Sequence, residues 1–304
     1  MLTVAAATQA IQAAMPAFDP ETVPIDAAVG RVLQQSVVAE RDQPPFDRVM
    51  MDGIAIRYEE FASGTRKFAI QSTQQAGDPA QSLEAGHAIE IMTGASLPEG
   101  ADCIVPVERI SVTDGSAEIR PDYEAEARQF IHPRGSDHPA GTELLRPGAR
   151  IAAADIAVIA SAGLPEVNVS RRPSIRVIST GNELVPAGQT IEDHQIRMSN
   201  GPAVIAMLKE HGYSDCSHDH LVDDLDVLRE RVAKHLDEAD VLILSGGVSM
   251  GKADYIPRVL DELGVDVVFH RISQRPGKPM WFGVGKQKQV VFALPGNPVS
   301  TLVC

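Results

Sequence analysis

Residues 239–251 read ADVLILSGGVSMG, and this stretch decides the fold. Its apolar part, Val241 to Leu244, predicts a buried β-strand. The glycine- and hydroxyl-rich segment that follows predicts a turn, with a helix beyond it. Glycine lets backbone N–H groups converge on an anion, and the N-terminus of a helix adds the positive end of its dipole. We therefore expect a phosphate-bearing ligand at the carboxyl end of a parallel sheet, where open α/β folds place their sites.

Strand and helix patterns alternate from Pro173 to the end of the chain. This alternation predicts a mostly parallel sheet that is covered by helices on both faces. Strands are expected at residues 175–178, 241–244, 265–269 and 290–294.

Three helices with apolar stripes are predicted between these strands. We expect Asn200 to cap the first, either Asp223 or Asp224 to cap the second, and Asp254 to cap the third. The three stripes are Val204, Ile205, Met207 and Leu208; Leu225, Leu228, Val232 and Leu236; and Ile256, Val259, Leu260 and Leu263.

The residues before position 170 do not show this strand–helix alternation. Helices are predicted near each end of this region, one capped by Thr3 and one closed by Gly163. Between them, short β-like runs alternate with turn residues, which is typical of a small β domain. The predicted organisation is a discontinuous linker domain at 1–40 and 135–170, an inserted β domain at 41–134, and an α/β domain at 171–304.

The composition restricts the class of partner. The chain has 304 residues, and 27 basic against 41 acidic side chains give a net charge of −14. This charge argues against nucleic acid or an anionic membrane as partner. The three cysteines form no C-x-x-C pair, the first residues do not resemble a signal peptide, and no apolar run could span a bilayer. A cytoplasmic protein is expected.

Four loops of the α/β half follow predicted strands and could share one edge of the sheet. They are residues 179–184, 245–254, 273–279 and 294–300. Taken singly, each has a simpler interpretation as a tight turn or a helix cap. Together they supply N–H donors, cations and carboxylates, which are the groups that a phosphate–metal site requires.

Six motifs resemble, in the same order, those of the MoeA/gephyrin family of molybdopterin molybdenumtransferases. The resemblance extends from about residue 5 to Cys304. The motifs are Pro45-Phe46-Asp47 with Met51-Asp52-Gly53, Met92-Thr93-Gly94-Ala95, Ser179-Thr180-Gly181-Asn182-Glu183-Leu184, Ser245-Gly246-Gly247-Val248-Ser249, Pro276-Gly277-Lys278-Pro279 and Leu294-Pro295-Gly296-Asn297-Pro298-Val299-Ser300.

The resemblance implies a multidomain α/β plus β protein. It would comprise a three-layer α/β molybdopterin-binding domain, the inserted β domain, an elongated linker domain and a C-terminal β domain. The fourth domain is not expected in these 304 residues, and because the chain stops inside an apolar run at Cys304, we expect the full protein to continue. The resemblance also implies a cytoplasmic homodimer whose site is shared between subunits, with other cofactor-biosynthesis proteins as further partners.

The implied reaction consumes adenylylated molybdopterin and molybdate. In the presence of Mg²⁺ the phosphoanhydride is hydrolysed, and molybdenum cofactor and AMP are released. The implied catalytic residues are Glu183, Asp254 and Lys278, with Asp52 and Thr93 contributed by the second subunit. The implied molybdopterin-binding residues are Ser245, Gly246, Gly247, Ser249, Pro295, Asn297 and Pro298. Molybdate would be bound by Arg275, Lys278 and Ser300, and the metal by Glu183, Asp223 and Asp254.

Two residues depart from the family pattern. Asn182 replaces an aspartate and removes a charge beside the implied metal site, and Arg275 replaces a lysine with a planar cation of different reach. The substitution of Asn182 and the absent fourth domain motivate an alternative, a molybdopterin-binding carrier or scaffold without catalysis. A nucleotide-processing enzyme that uses the α/β domain alone is a third interpretation.

Overall fold

The computed structural model describes residues 1–248 and 255–304, which form two units. One unit combines Met1–Glu21 with Val169–Cys304, and the other comprises Thr22–Asn168. The described helices are α1 (Val4–Ala14), α2 (Tyr58–Ala62), α3 (Ala153–Ser161), α4 (Asn200–Glu210), α5 (Leu225–Glu238), α6 (Ile256–Glu262) and α7 (Pro298–Val303), with 3₁₀ turns at Ile25–Ala27 and Val107–Arg109.

The described strands are numbered in chain order. They are β1 (Pro20–Pro24), β2 (Val37–Val38), β3 (Arg48–Val49), β4 (Gly53–Ile56), β5 (Lys67–Gln74), β6 (His87–Ile91), β7 (Cys103–Pro106), β8 (Ile110–Thr113), β9 (Ser116–Ile119), β10 (Ile131–His132), β11 (Glu143–Leu145), β12 (Glu166–Ser170), β13 (Ile175–Thr180), β14 (Leu184–Val185), β15 (Ile196–Arg197), β16 (Cys216–Leu221), β17 (Val241–Ser245), β18 (Asp266–His270), β19 (Trp281–Val284) and β20 (Val290–Leu294).

A six-stranded sheet forms the centre of the first unit, in the order β16-β13-β17-β20-β19-β18. The first four strands run parallel, and β19 pairs antiparallel with both β20 and the edge strand β18. The predicted mostly parallel sheet is therefore confirmed. Parallel strands end at a common edge, so the loops after β13, β17 and β20 are brought together.

Both faces of this sheet are buried under helices, which confirms the three-layer arrangement. Alternate residues of each strand face opposite sides. In β17, Leu242 and Leu244 pack with α5 and α6, whereas Val241 packs with the other core, to which α1 and α4 contribute. The near-continuous apolar run of β17 is what burial on both faces requires.

The apolar stripes of α5 and α6 are confirmed, since all their predicted members lie in or against one core. The choice between two capping residues is also settled. Asp224 is the N-cap of α5, because its carboxylate accepts hydrogen bonds from Asp226 N and Val227 N, both at 3.0 Å. Asp223 lines the cavity described below. Thr3 caps α1, as expected.

Two expectations for α4 are wrong. Met207 is 44% exposed, while Val204, Ile205 and Leu208 face the core. Asn200 is the first residue of the helix and not its cap, because Ser199 holds the cap position. The side chain of Asn200 bonds to distant segments instead of the helix N-terminus. Asp254, the expected cap of α6, lies outside the described residues.

Two strands of the sheet were not predicted. β16 reads CSHDHL, and its polar residues hide the strand pattern. β19 contains Trp281 and Phe282, both fully buried. The strand has four residues and begins directly after the proline-rich loop, so its apolar run is too short to predict a strand.

The second unit contains a mixed six-stranded sheet in the order β7-β4-β6-β5-β9-β8. Its strands lie between Gly53 and Ile119, inside the range expected for the β domain. Small two-stranded sheets, β3 with β10 and β2 with β11, flank it in sequence. Gly53 is required where β4 passes β7, since a Cβ there would overlap the carbonyl oxygen of Val105.

The grouping by contacts places helix α1 with the α/β unit, where Ala7 packs in the same core as Ile175 and Phe282. It joins residues 22–40 and 135–168 of the predicted linker domain to the predicted β domain in one unit. The three predicted domain ranges stay a prediction. Within the described residues, no helix has the length and apolar character needed to cross a membrane.

Candidate ligand-binding site

A cavity of about 690 Å³ lies at the carboxyl edge of the α/β sheet. Its walls come from the loops after β13, β16, β17 and β20 and from the segment that leads into α4. Of the four loops expected at this edge, residues 179–184 and 294–300 each contribute several lining residues, and the second loop contributes its described part, residues 245–248. Pro279 alone represents the loop at 273–279. The lining comprises Ser179, Thr180, Gly181, Glu183, Leu184, Ile196, Arg197, Met198, Ser199, Asn200, Asp223, Ser245, Gly246, Gly247, Val248, Pro279, Pro295, Gly296, Asn297 and Pro298.

The turn after β17 depends on its two glycines. Gly246 and Gly247 have φ of 100° and 64°, a region that side chains disfavour. A Cβ on Gly246 would lie 2.6 Å from the Thr180 carbonyl oxygen, and one on Gly247 would lie 3.0 Å from Ile256 Cγ1. The Gly246 amide donates to Leu294 O at 3.2 Å, so this amide holds the turn against β20.

Thr180 supplies a polar group at the floor of this turn. Its Oγ1 is buried and has no hydrogen-bond partner among the described residues. A buried hydroxyl normally has a partner, because leaving it unpaired costs free energy. Thr180 lines the cavity, and its hydroxyl lies close beneath both glycines of the turn.

Two carboxylates, Glu183 and Asp223, line the same cavity. The Glu183 carboxylate folds back over Gly181, where a Cβ would lie 2.5 Å from Oε2. Mg²⁺ is usually held by one or two carboxylates together with substrate phosphates, so this donor set suits the ion. Among residues 1–248 and 255–304, no group of three or more acidic, histidine or cysteine side chains forms a metal site. The third expected ligand, Asp254, lies outside these ranges.

Asn182 joins the two acidic loops. Its side-chain Oδ1 accepts a hydrogen bond from Asp223 N at 3.0 Å, and its backbone N–H donates to Asp223 Oδ2 at 3.4 Å. The substitution that removes a charge therefore retains an oxygen acceptor that positions Asp223.

Two histidines of β16 support the loop after β13. His220 Nε2 lies 2.8 Å from Gly181 O, and His218 Nε2 lies 2.9 Å from Ser179 Oγ. Burial lowers the pKa of His218, which favours the neutral imidazole near pH 7. The loop that carries Glu183 is thus tied to the edge strand.

The turn before α7 brings three expected molybdopterin-binding residues, Pro295, Asn297 and Pro298, to the cavity. Asn297 caps α7, because its Oδ1 accepts from Ser300 N at 3.2 Å, and Pro298 occupies the first helical position. Ser245, Gly246 and Gly247 also line the cavity, whereas Ser249 lies outside the described residues.

The residues expected to bind molybdate are not in the cavity lining. Ser300 is buried, with its Oγ 3.5 Å from Asn297 Oδ1. Arg275 and Lys278 are exposed on the loop that contributes Pro279. Their molybdate role stays a prediction.

Asp52 and Thr93 form a pair in the second unit. Asp52 Oδ1 accepts hydrogen bonds from Thr93 N at 2.6 Å and from Thr93 Oγ1 at 2.7 Å. The backbone bond, followed by the hydroxyl bond, lowers the pKa of Asp52 and keeps its carboxylate charged. Both residues are exposed, and their catalytic role stays a prediction.

The site contains residues that sequence reasoning missed, chiefly Thr180, Arg197, Ser199 and Asn200. Arg197 Nη1 donates to Pro186 O and Gln189 O, which fixes this cation at the cavity rim. The sequence could have indicated Ser199 and Asn200, because they lie at the start of a helix at the carboxyl edge of a sheet, where helix N-termini face ligands.

The fold and the cavity define a class: an α/β protein with a cavity of small-molecule size at the carboxyl edge of its mostly parallel sheet. Comparison with known proteins gives the family. Residues 2–163 match the family described as MoeA N-terminal region (domain I and II), and residues 176–304 match the probable molybdopterin binding domain.

Curated relatives and solved structures agree with these matches. A molybdopterin molybdenumtransferase of Synechocystis is 41% identical over the whole chain, which covers 78% of that relative. One from Nostoc is 33% identical, with 94% of this chain and 66% of the relative covered. A crystal structure of the molybdopterin biosynthesis MoeA protein from Pyrococcus horikosii matches with a TM-score of 0.82 and 31% identity, covering 99% of this chain and 76% of that one.

The chain therefore belongs to the MoeA/gephyrin family of molybdopterin molybdenumtransferases, transferases of molybdenum cofactor biosynthesis. It spans about two thirds to four fifths of the length of these relatives.

Proposed function

We propose that the cavity of the α/β unit binds adenylylated molybdopterin. The observation that carries this proposal is the position of the glycine turn and two carboxylates, Glu183 and Asp223, on the walls of one cavity of about 690 Å³. This volume lies within the range of roughly 300–1,000 Å³ that is usual for small-molecule sites. The turn accommodates phosphate, and the carboxylates suit the divalent cation that accompanies it.

We further propose that hydrolysis of the phosphoanhydride occurs here in the presence of molybdate. Water adds across the P–O–P linkage, so AMP leaves and molybdopterin keeps its own phosphate. Molybdate supplies the molybdenum that is inserted into molybdopterin, and the second product is molybdenum cofactor. Thr180 and Ser245 would donate hydrogen bonds to phosphate oxygens, and Glu183 and Asp223 would hold Mg²⁺. Bound there, Mg²⁺ would neutralise charge that develops on the departing phosphate.

The shared site of a homodimer belongs to the same proposal. The family resemblance assigns Asp52 and Thr93 to completion of the cavity in a second copy of the chain. Their pairing, which keeps the Asp52 carboxylate charged, supports an electrostatic or metal-linked role. Arg275, Lys278 and Ser300 are proposed to bind molybdate on the grounds of the resemblance alone. The same holds for Ser249 and Asp254 in pterin and metal binding, and the cytoplasmic location stays a prediction.

The test is release of AMP from adenylylated molybdopterin by the purified chain with Mg²⁺ and molybdate. Glu183→Gln keeps the size of the side chain but removes its charge, and we expect at least a roughly tenfold loss, about 1.4 kcal/mol of transition-state stabilisation. Glu192→Gln is the matched control, because Glu192 is exposed and does not line the cavity.

Two results would contradict the proposal. If the Glu183→Gln variant releases AMP as fast as the wild type, this carboxylate does not serve the reaction. If the wild type binds molybdopterin tightly but releases no AMP, the chain is a carrier or scaffold, the alternative that Asn182 motivates.

A further inference from the structure

We infer that Asn200 is a positioning residue, which sets the direction of the Ser245 hydroxyl and joins the loops that form the cavity. This inference rests on the proposed function, in which Ser245 bonds to the phosphate of molybdopterin. Asn200 is the first residue of α4 and lines the cavity.

The carboxamide of Asn200 reaches three segments that are far apart in sequence. Its Nδ2 lies 2.8 Å from Ser245 Oγ at the end of β17, 2.9 Å from Gly296 O in the turn before α7, and 3.1 Å from Thr301 Oγ1 within α7. One side chain from α4 thus connects the glycine turn, the proline-containing turn and the last helix.

The chemistry of the three partners fixes the orientation of the amide. A backbone carbonyl can only accept, so the atom of Asn200 that faces Gly296 O must be the NH₂ group. The NH₂ group has two hydrogens, and the two shortest contacts, Ser245 Oγ at 2.8 Å and Gly296 O at 2.9 Å, accept them. Thr301 Oγ1, at 3.1 Å, is the third and longest contact, and its own hydroxyl donates to Pro295 O. A flipped amide would place an oxygen against the Gly296 carbonyl oxygen, which is repulsive.

This orientation decides what Ser245 can do. Because Ser245 Oγ accepts from Asn200, its own hydrogen is not used in that bond. Among the described residues its other partner is Thr301 Oγ1, at a longer 3.4 Å. The Ser245 hydroxyl is therefore held as a donor, which is the polarity that an anionic ligand requires.

Gly201, the residue after Asn200, allows α4 to approach the edge of the sheet closely. A Cβ on Gly201 would overlap the His218 imidazole, whose Nε2 lies 2.9 Å from Ser179 Oγ. Glycine at this position lets the first turn of α4 approach the sheet edge, and the neighbouring Asn200 carboxamide then reaches Ser245.

The experiment is a double-mutant cycle with Asn200→Ala and Ser245→Ala, with affinity for purified molybdopterin measured by anaerobic calorimetry. We expect Asn200→Ala to weaken binding about tenfold in the wild-type background and less than about twofold when Ser245 is already alanine. Asn168→Ala, the same truncation in the other unit, is the control and should leave affinity unchanged. A purely structural role would give additive losses, so additivity overturns the inference.

Hydrogen exchange of the unliganded protein gives an independent readout. Asn200→Ala should speed amide exchange in residues 295–301, because their link to α4 is lost. Unchanged exchange, or unchanged affinity in a wild type that binds molybdopterin, overturns the inference. If the wild type fails to bind molybdopterin, the proposed function fails, while the exchange comparison still decides whether Asn200 joins the loops.

Discussion

At the scale of single residues, Gly246 is the glycine of the cavity turn with the closest backbone neighbour. Alanine there would meet two penalties: a φ of 100° and a Cβ 2.6 Å from the Thr180 carbonyl oxygen. Strained backbone costs about 1–2 kcal/mol, and overpacking typically adds about 1–3 kcal/mol. We expect Gly246→Ala to lower the free energy of unfolding of the α/β unit by about 2–4 kcal/mol.

Gly188 separates the two penalties. Its φ is 87°, and a Cβ there would meet nothing within 4 Å, so Gly188→Ala should cost only the strain, about 1 kcal/mol. Trp281 is the only tryptophan of the chain and is buried in this unit, so its fluorescence in urea reports unfolding of both variants. Equal losses would show that contact with Thr180 is not what constrains the turn.

The loop motifs, together with the family resemblance they carry, predicted part of the site. Ser245, Gly246, Gly247, Glu183, Pro295, Asn297 and Pro298 were all expected and all line the cavity. Asn200 was misassigned as a cap, because a polar residue before an apolar stripe usually bonds to its own helix. Its real partners lie 45, 96 and 101 residues away, and no local pattern encodes such distances.

At the scale of elements, the start of β17 is tied to the segment before β13 by a bidentate ion pair. Arg171 Nη1 and Nη2 donate to Asp240 at 2.7 and 2.9 Å, and Ser174 N and Oγ donate to the same carboxylate. The Arg171 guanidinium, aided by Ser174, lowers the pKa of Asp240 to about 2 from its ordinary value of 3.8. This pair lies at the end of the strands opposite to the cavity, so it bears on stability alone.

We expect Asp240→Asn to destabilise the α/β unit by about 1–2 kcal/mol at pH 7, a range reduced because the pair is partly exposed. A depressed carboxyl pKa stabilises the fold above pH 3.8, and this contribution is lost as the pH falls through about 2. The difference between variant and wild type in urea, followed by Trp281 fluorescence, should therefore shrink between pH 4 and pH 2. A constant difference, or an equal effect of Asp237→Asn at an exposed position, would contradict this account.

Elements with strong periodicity were the ones that the sequence could predict. The apolar run of β17 and the stripes of α5 and α6 satisfy local rules, and the structure confirms them. Strand β16 does not follow these local rules, because its polar side chains form hydrogen bonds with residues that are distant in sequence. Asp219 bonds to Arg231 and His235 on α5, and His218 and His220 bond to the loop after β13.

At the scale of the whole molecule, the proposed shared site makes a prediction that a single chain cannot fulfil. If Asp52 and Glu183 of different copies serve one cavity, the Asp52→Asn and Glu183→Gln variants should each be inactive as homodimers. Mixed dimers would then regain one intact site, and random exchange of subunits would restore about a quarter of the wild-type rate.

Subunit exchange followed by an AMP-release assay tests this directly. The unmixed variants serve as controls, and light scattering establishes the oligomeric state of each sample. If the mixture is as inactive as its components while dimers form, each site is built from one chain, and the role proposed for Asp52 in a second copy is wrong.

The central claim is that adenylylated molybdopterin binds at the carboxyl edge of the α/β sheet. The most direct measurement is a crystal structure of the chain with this compound and Mg²⁺. The account predicts phosphate density within hydrogen-bond distance of Ser245 and Thr180, with metal density beside Glu183 and Asp223. Ligand density at another surface, with the cavity between these residues filled only by water, would contradict it.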